Sequence, residues 1–264
     1  MRNALSVVLV VVLCLLVAAP MANAGTRNLR PLAPADFSPA PLQTAFDGIT
    51  LSGPGIDPSA DQTPFSLFTS DAVGGAVATF IIELASFSDT NEFGLYSRGD
   101  TANKALIFDG SADPADMAFI QFTAGGDIYV NFSLAASGFG RDFGFYVDVY
   151  EAAAGGGGDS DPTTYDYTVF SEDSENVGEV AQSLIYQGDD ETLIQIGGWM
   201  PGLFTDNQFI VAFEDLRVDL GVSDEDYSDL VVMVESITPI PAPAAVLLGV
   251  LGLPMVGWVK RRLA

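Results

Sequence analysis

From Leu67 onward the chain is written in short apolar segments separated by clusters of Gly, Asp, Asn and Ser, the texture of β-strands joined by turns. Within several segments apolar and polar positions alternate with a period of two. Phe143, Phe145, Val147 and Val149 interleave with Gly144, Tyr146, Asp148 and Tyr150, so one face packs while the other meets water or a second layer. The pattern predicts strands over residues 76–87, 92–97, 104–108, 117–123, 128–134, 142–150, 165–170, 181–186, 192–196, 208–214 and 229–237. Between Leu67 and Glu235 no 3.6-residue periodicity is sustained. The fold class that follows is all-β, an antiparallel β-sandwich or jelly-roll. Ahead of it, residues 25–64 carry Pro31, Pro34, Pro39, Pro41, Pro54, Pro58 and Pro64 with few bulky apolar residues, and read as a Pro-rich, extended leader only partly joined to the domain at 65–238.

The two ends follow a different pattern. Residues 1–24 open with Met1 and Arg2, run apolar from Leu5 to Ala19, and finish on Ala22-Asn23-Ala24. This is the layout of a cleaved secretory signal, and the run is shorter than the roughly 20 residues that span a bilayer. At the far end the stretch 242–259 is apolar and is followed at once by Lys260, Arg261 and Arg262. A helix over its 18 residues would be about 27 Å long, close to the hydrocarbon thickness of a membrane. The basic tail would stay in the cytoplasm, leaving the body of the protein outside, in agreement with the signal segment. The expectation is therefore an exported envelope or extracellular protein with an N-terminal signal helix and a single C-terminal transmembrane helix.

Composition narrows the chemistry. All 35 acidic residues lie between Asp36 and Glu235, and the exported part holds only six basic ones, Arg27, Arg30, Arg98, Lys104, Arg141 and Arg217, for a net charge of −29. Such a body repels a phosphate backbone, which excludes nucleic acid as a partner. There is no histidine, and the single cysteine, Cys14, falls in the signal segment. Disulfides, thiol nucleophiles, histidine-based triads and His-ligated zinc are thereby closed. In the run 152–158 the glycines are followed by Asp159 where a phosphate loop needs lysine.

One acidic constellation stands out. Phe209-Ile210-Val211-Ala212-Phe213-Glu214-Asp215 is followed by Asp219 and then Asp224-Glu225-Asp226-Tyr227-Ser228-Asp229-Leu230-Val231-Val232, placing seven carboxylates in the sixteen residues between two apolar strands. They would face one another across a hairpin. Hard cations such as Ca²⁺ take six to eight oxygen ligands, and Asp224, Asp226 and Asp229 fall at positions 1, 3 and 6 of a turn, a spacing that converges on one ion. An EF-hand is excluded, because Asp229 stands at the obligatory glycine and a strand follows. The alternative is a solvated hairpin tip. Asp173 with Asn176 is a second, smaller candidate.

An apolar strand ending in Phe213-Glu214-Asp215, a turn, and Asp224-x-Asp226-Tyr227-x-Asp229-Leu230-Val231-Val232 resembles the DUF4114 domain, a family of secreted bacterial proteins. Asn91-Glu92-Phe93-Gly94-Leu95-Tyr96 and Phe143-Gly144-Phe145-Tyr146 share that likeness, which covers residues 80–235; Ser228 stands where the family has Asn. The resemblance implies a surface or extracellular β-domain stabilised by cations. Carried over residue by residue, it implies Glu214, Asp215, Asp224, Asp226 and Asp229 as metal ligands. Segment 239–264, with Ile240-Pro241-Ala242-Pro243-Ala244-Ala245, the apolar stretch and the basic tail, resembles the PEP-CTERM sorting signal, with Ala242 where the family carries Glu. It implies processing by an exosortase-like enzyme and release of the body to the cell surface.

The functional expectation is a non-enzymatic surface or matrix protein that binds Ca²⁺. A carbohydrate-binding module, using Trp199, Tyr146, Tyr165 or Tyr167 to stack on extracellular polysaccharide, is the alternative, and a hydrolase built on two carboxylates is a third reading.

Overall fold

The computed structural model describes residues 41–70, 90–150, 166–221 and 223–241, and the backbone of 76–83. The expected signal segment 1–24, the first part of the leader, the glycine run 152–158, Tyr165, and the apolar span 242–259 with its basic tail lie outside the described residues. Among the described residues no helix is long and apolar enough to cross a membrane.

Among the described residues the chain forms one α-helix, α1 (Pro41–Ile49), and sixteen strands. In chain order these are β1 (Thr50–Ser52), β2 (Phe68–Thr69), β3 (Ala76–Glu83), β4 (Glu92–Ser97), β5 (Asp100–Phe108), β6 (Met117–Phe122), β7 (Ile128–Val130), β8 (Ser133–Ala136), β9 (Asp142–Val149), β10 (Tyr167–Phe170), β11 (Ser183–Gln187), β12 (Leu193–Ile194), β13 (Gly202–Leu203), β14 (Gln208–Phe213), β15 (Leu230–Glu235) and β16 (Thr238–Pro239). A seven-stranded sheet has the order β11-β14-β15-β3-β6-β7-β8. A second sheet runs β16-β2-β9-β4-β5, with β10 also on β9, and a small third one is β1-β12-β13. Each pairing is antiparallel, so the all-β expectation holds.

The period-two pattern explains how the layers meet. Phe143, Phe145, Val147 and Val149 of β9 join Phe93 and Leu95 of β4 in a core shared with Phe209, Val211 and Phe213 of β14 and Leu230, Val232 and Val234 of β15. The two large sheets therefore bury one face against each other. In β14 and β15 the intervening residues are apolar too: Ile210, Ala212, Val231 and Met233 build a second core on the opposite face of the seven-stranded sheet. A strand buried on both sides reads as a continuous apolar run, and something must cover its outer face.

That cover comes from the segment expected as an extended leader, which is the main correction to the sequence reading. Leu42, Phe46 and Ile49 of α1, with Ile56, pack into the second core beside Ile194 and Phe204. Pro41 sits at the first helical position, where its missing N–H costs nothing. Phe46 meets the Tyr186 ring edge-on at 4.9 Å, and the Tyr186 hydroxyl donates to the Pro58 carbonyl at 3.0 Å. Residues 41–64 belong to the domain. Two further differences are local. The strand expected at 128–134 is a hairpin, β7 and β8 paired, because Asn131 (φ 49°) and Phe132 (φ 66°) both adopt left-handed backbone, the requirement of a tight two-residue turn. The strand expected at 192–196 shortens to β12.

Candidate metal centre

The end of β14 and the start of β15 are paired, Phe213 opposite Leu230, so the acids that follow one strand and precede the other are brought to the same end of the seven-stranded sheet. Asp215 N–H donates to Asp229 Oδ2 at 2.9 Å and closes the base of the connection. The second sheet ends at the same place. Asn91, just before β4, donates from Nδ2 to Asp215 Oδ2 at 2.9 Å and accepts from the Tyr150 N–H at 3.2 Å. Tyr167, at the start of β10, donates its hydroxyl to the Asp215 carbonyl at 2.8 Å. Gln182 holds the far wall: its amide donates to the carbonyls of Glu214 and Leu216 at 3.0 Å each, and its Oε1 accepts from Val218 N–H at 2.8 Å.

All five residues proposed from the sequence converge. Glu214, Asp224 and Asp226 place carboxylate oxygens within 4.8 Å of one another, and so do Glu214, Asp215 and Asp229. Glu214 is completely buried and Asp215 nearly so, whereas Asp224 is exposed and Asp226 and Asp229 are half-buried. The turn is held by Ser228, whose N–H and hydroxyl donate to Asp226 Oδ1 at 2.9 and 2.7 Å. Its backbone passes through left-handed conformations at Glu225 (φ 56°) and Tyr227 (φ 54°), and the buried Tyr227 ring anchors it, donating its hydroxyl to Ala181 O at 3.1 Å.

The electrostatics are one-sided. Arg217 is the only basic residue in 214–229, and it pairs with Asp219 through two hydrogen bonds of 2.9 and 2.5 Å. Burial, then the negative charge of Asp224, raises the Glu214 carboxyl to about 7. Burial, then Asp215 and Glu214, raises Asp229 further above its ordinary range, and Asp224 is raised by burial and by Asp226. Glu214 Oε2 is 3.5 Å from the Tyr227 N–H, and Glu214 Oε1, buried, meets no N–H or hydroxyl donor, the side chain's other hydrogen bond being with the Asp229 carboxyl. A buried carboxylate oxygen without a donor is costly. A hard cation would satisfy it, and the donor set, all carboxylate oxygen, could hold a metal ion of the kind that takes oxygen ligands.

In the smaller candidate the asparagine is committed to its own turn. Asn176 uses its side chain to clamp its own turn, accepting from Phe170 N–H and donating to the carbonyls of Phe170 and Val180. Of the aromatics considered for stacking, Tyr146 is buried, Tyr167 belongs to the wall of the acidic centre, and Trp199 is half-exposed. Sequence reasoning missed Asn91, Tyr167 and Gln182 as supports; Asn91 alone carried a signal, standing at the head of the DUF4114-like segment. No protein-family model matches the chain, and no curated protein or solved structure matches it, so both family resemblances rest on the motif residues quoted above.

Proposed function

We propose that this chain is an exported, non-enzymatic protein of the cell surface or extracellular matrix, and that its β-sandwich body binds Ca²⁺ through Glu214, Asp215, Asp224, Asp226 and Asp229. The observation that carries the reading is the buried Glu214 Oε1, which meets no N–H or hydroxyl donor and faces four further carboxylates. Export is supported by the pattern of residues 1–24 and by the apolar stretch and basic tail of the PEP-CTERM-like end. An exosortase-like enzyme is the processing partner that this end implies. Extracellular Ca²⁺ modules work with dissociation constants of roughly 10⁻⁴ to 10⁻³ M, so millimolar Ca²⁺ is the relevant probe.

The test is the thermal midpoint of the purified protein in EDTA, then in millimolar Ca²⁺, with Mg²⁺ as control. At about ten times the dissociation constant, binding to the folded state adds about 1.4 kcal/mol, or roughly 3–6 °C for a domain of this size. A midpoint that ignores Ca²⁺, or responds equally to Mg²⁺, would reduce the hairpin to solvated acids.

A second reading is carbohydrate binding, supported by the half-exposed Trp199 on a groove of about 190 Å³ that also offers Gln208 and Glu235. It predicts retention on immobilised polysaccharide that Trp199→Ala abolishes and that EDTA leaves unchanged.

A further inference from the structure

The five carboxylates are grouped around Glu214. Their oxygens fall into two triads, Glu214-Asp224-Asp226 and Glu214-Asp215-Asp229, each closed within 4.8 Å and sharing only Glu214. Ca²⁺ binds oxygen at about 2.3–2.6 Å, so two oxygens on one ion stand no more than about 5 Å apart. Each triad fits that limit, and the two triads meet only at Glu214. We propose that the centre holds two Ca²⁺ ions bridged by the Glu214 carboxylate, one in each triad. This rests on the cation-binding reading above and specifies its stoichiometry.

Three observations support the bridge. Glu214 is fully buried between the triads, with Oε1 meeting no N–H or hydroxyl donor, as a carboxylate whose two oxygens serve different ions requires. The charge balance favours it as well: one divalent ion leaves five carboxylates at −3 around a buried group, whereas two leave −1, and uncompensated buried charge is what such a site must avoid. The supports are also separate for each triad. Asn91 and the Asp215 N–H orient Asp215 and Asp229 on the inner side, while Ser228 orients Asp226 on the outer side, the kind of outer-shell hydrogen bonding that positions metal ligands.

The two positions differ in access. The inner triad is formed by two buried residues and one half-buried one, whereas Asp224 of the outer triad is exposed. The inner ion is therefore retained and the outer ion exchanges.

The experiment is to count Ca²⁺ per chain on the full-length protein by equilibrium dialysis in about 0.15 M salt, which screens diffuse surface binding. The same count is made on Asp224→Asn/Asp226→Asn, whose changes lie at the accessible side of the turn. The expected result is two ions for the parent protein and one for the variant. One ion in both, or two in both, overturns the bridged pair while leaving cation binding intact; no ion in the parent protein overturns both.

Discussion

A carboxyl enclosed by protein, with other carboxylates as its nearest neighbours, gives up its proton reluctantly. For Glu214 burial is the largest cause and Asp224 the next, and its pKa stands near 7 against an ordinary 4.5. A group whose folded-state pKa is raised contributes stability that is complete below its unfolded value and is lost as the pH passes the folded one. The Ca²⁺-free protein is therefore expected to lose thermal stability between about pH 4.5 and about pH 7, on the order of 3 kcal/mol from this residue. Saturating Ca²⁺ should flatten that fall, because the ion replaces the proton. In EDTA at pH 8, Glu214→Gln should raise the midpoint, against the usual sign for a change in a packed interior, and should remove the Ca²⁺ response. Midpoints recorded against pH with and without Ca²⁺ check both statements. Glu172 shows the contrast. It too is buried, but its Oε2 accepts the Tyr96 hydroxyl at 2.6 Å, so its burial needs no ion.

Strands β4 and β9 interlock through glycine. Gly94 lies opposite Tyr146 and Tyr96 opposite Gly144, and each ring covers the facing glycine: a Cβ on Gly94 would stand 2.6 Å from Tyr146 Cε1, and one on Gly144 would fall on the Tyr96 ring. Gly144→Ala should cost about 1–3 kcal/mol through overpacking, read as a lower denaturation midpoint in urea with an unchanged slope. On the opposite side of the molecule, Phe46→Ala should cost about 3–5 kcal/mol, although it lies in a segment whose composition reads as linker; a truly detached leader would show no loss. The strands were legible because alternation is a local property: β4, β6, β9, β14 and β15 lie within the expected spans. Helix α1 was not, although Leu42, Ala45, Phe46 and Ile49 have helical spacing, because nine residues hold too few turns to outweigh a Pro-dense surrounding. The β7–β8 turn was hidden for another reason: Phe132 is an apolar residue at a left-handed position, 78% exposed, where turn chemistry predicts Gly or Asn.

For the molecule as a whole, net charge and site chemistry act on different length scales. A body at −29 repels itself, and monovalent salt screens that repulsion over a Debye length of about 10 Å at 0.1 M. Raising NaCl from about 0.05 to about 1 M in EDTA should lift the thermal midpoint of the parent protein and of Asp224→Asn/Asp226→Asn alike. Added Ca²⁺ should then lift the parent protein more than the variant, separating diffuse screening from the centre. The sequence by itself determined the all-β class, the absence of histidine, and the identity of the five clustered acids, because alternation, composition and a sixteen-residue hairpin connection are all written over short distances. Only the tertiary structure decided that residues 41–64 close a second core, and that Asn91, Tyr167 and Gln182 meet the acids across 124, 48 and 32 positions of chain. It also decided that Glu214 is shared by two carboxylate triads. Burial and convergence depend on which surfaces the packed sheets remove from water, and no local pattern carries that information.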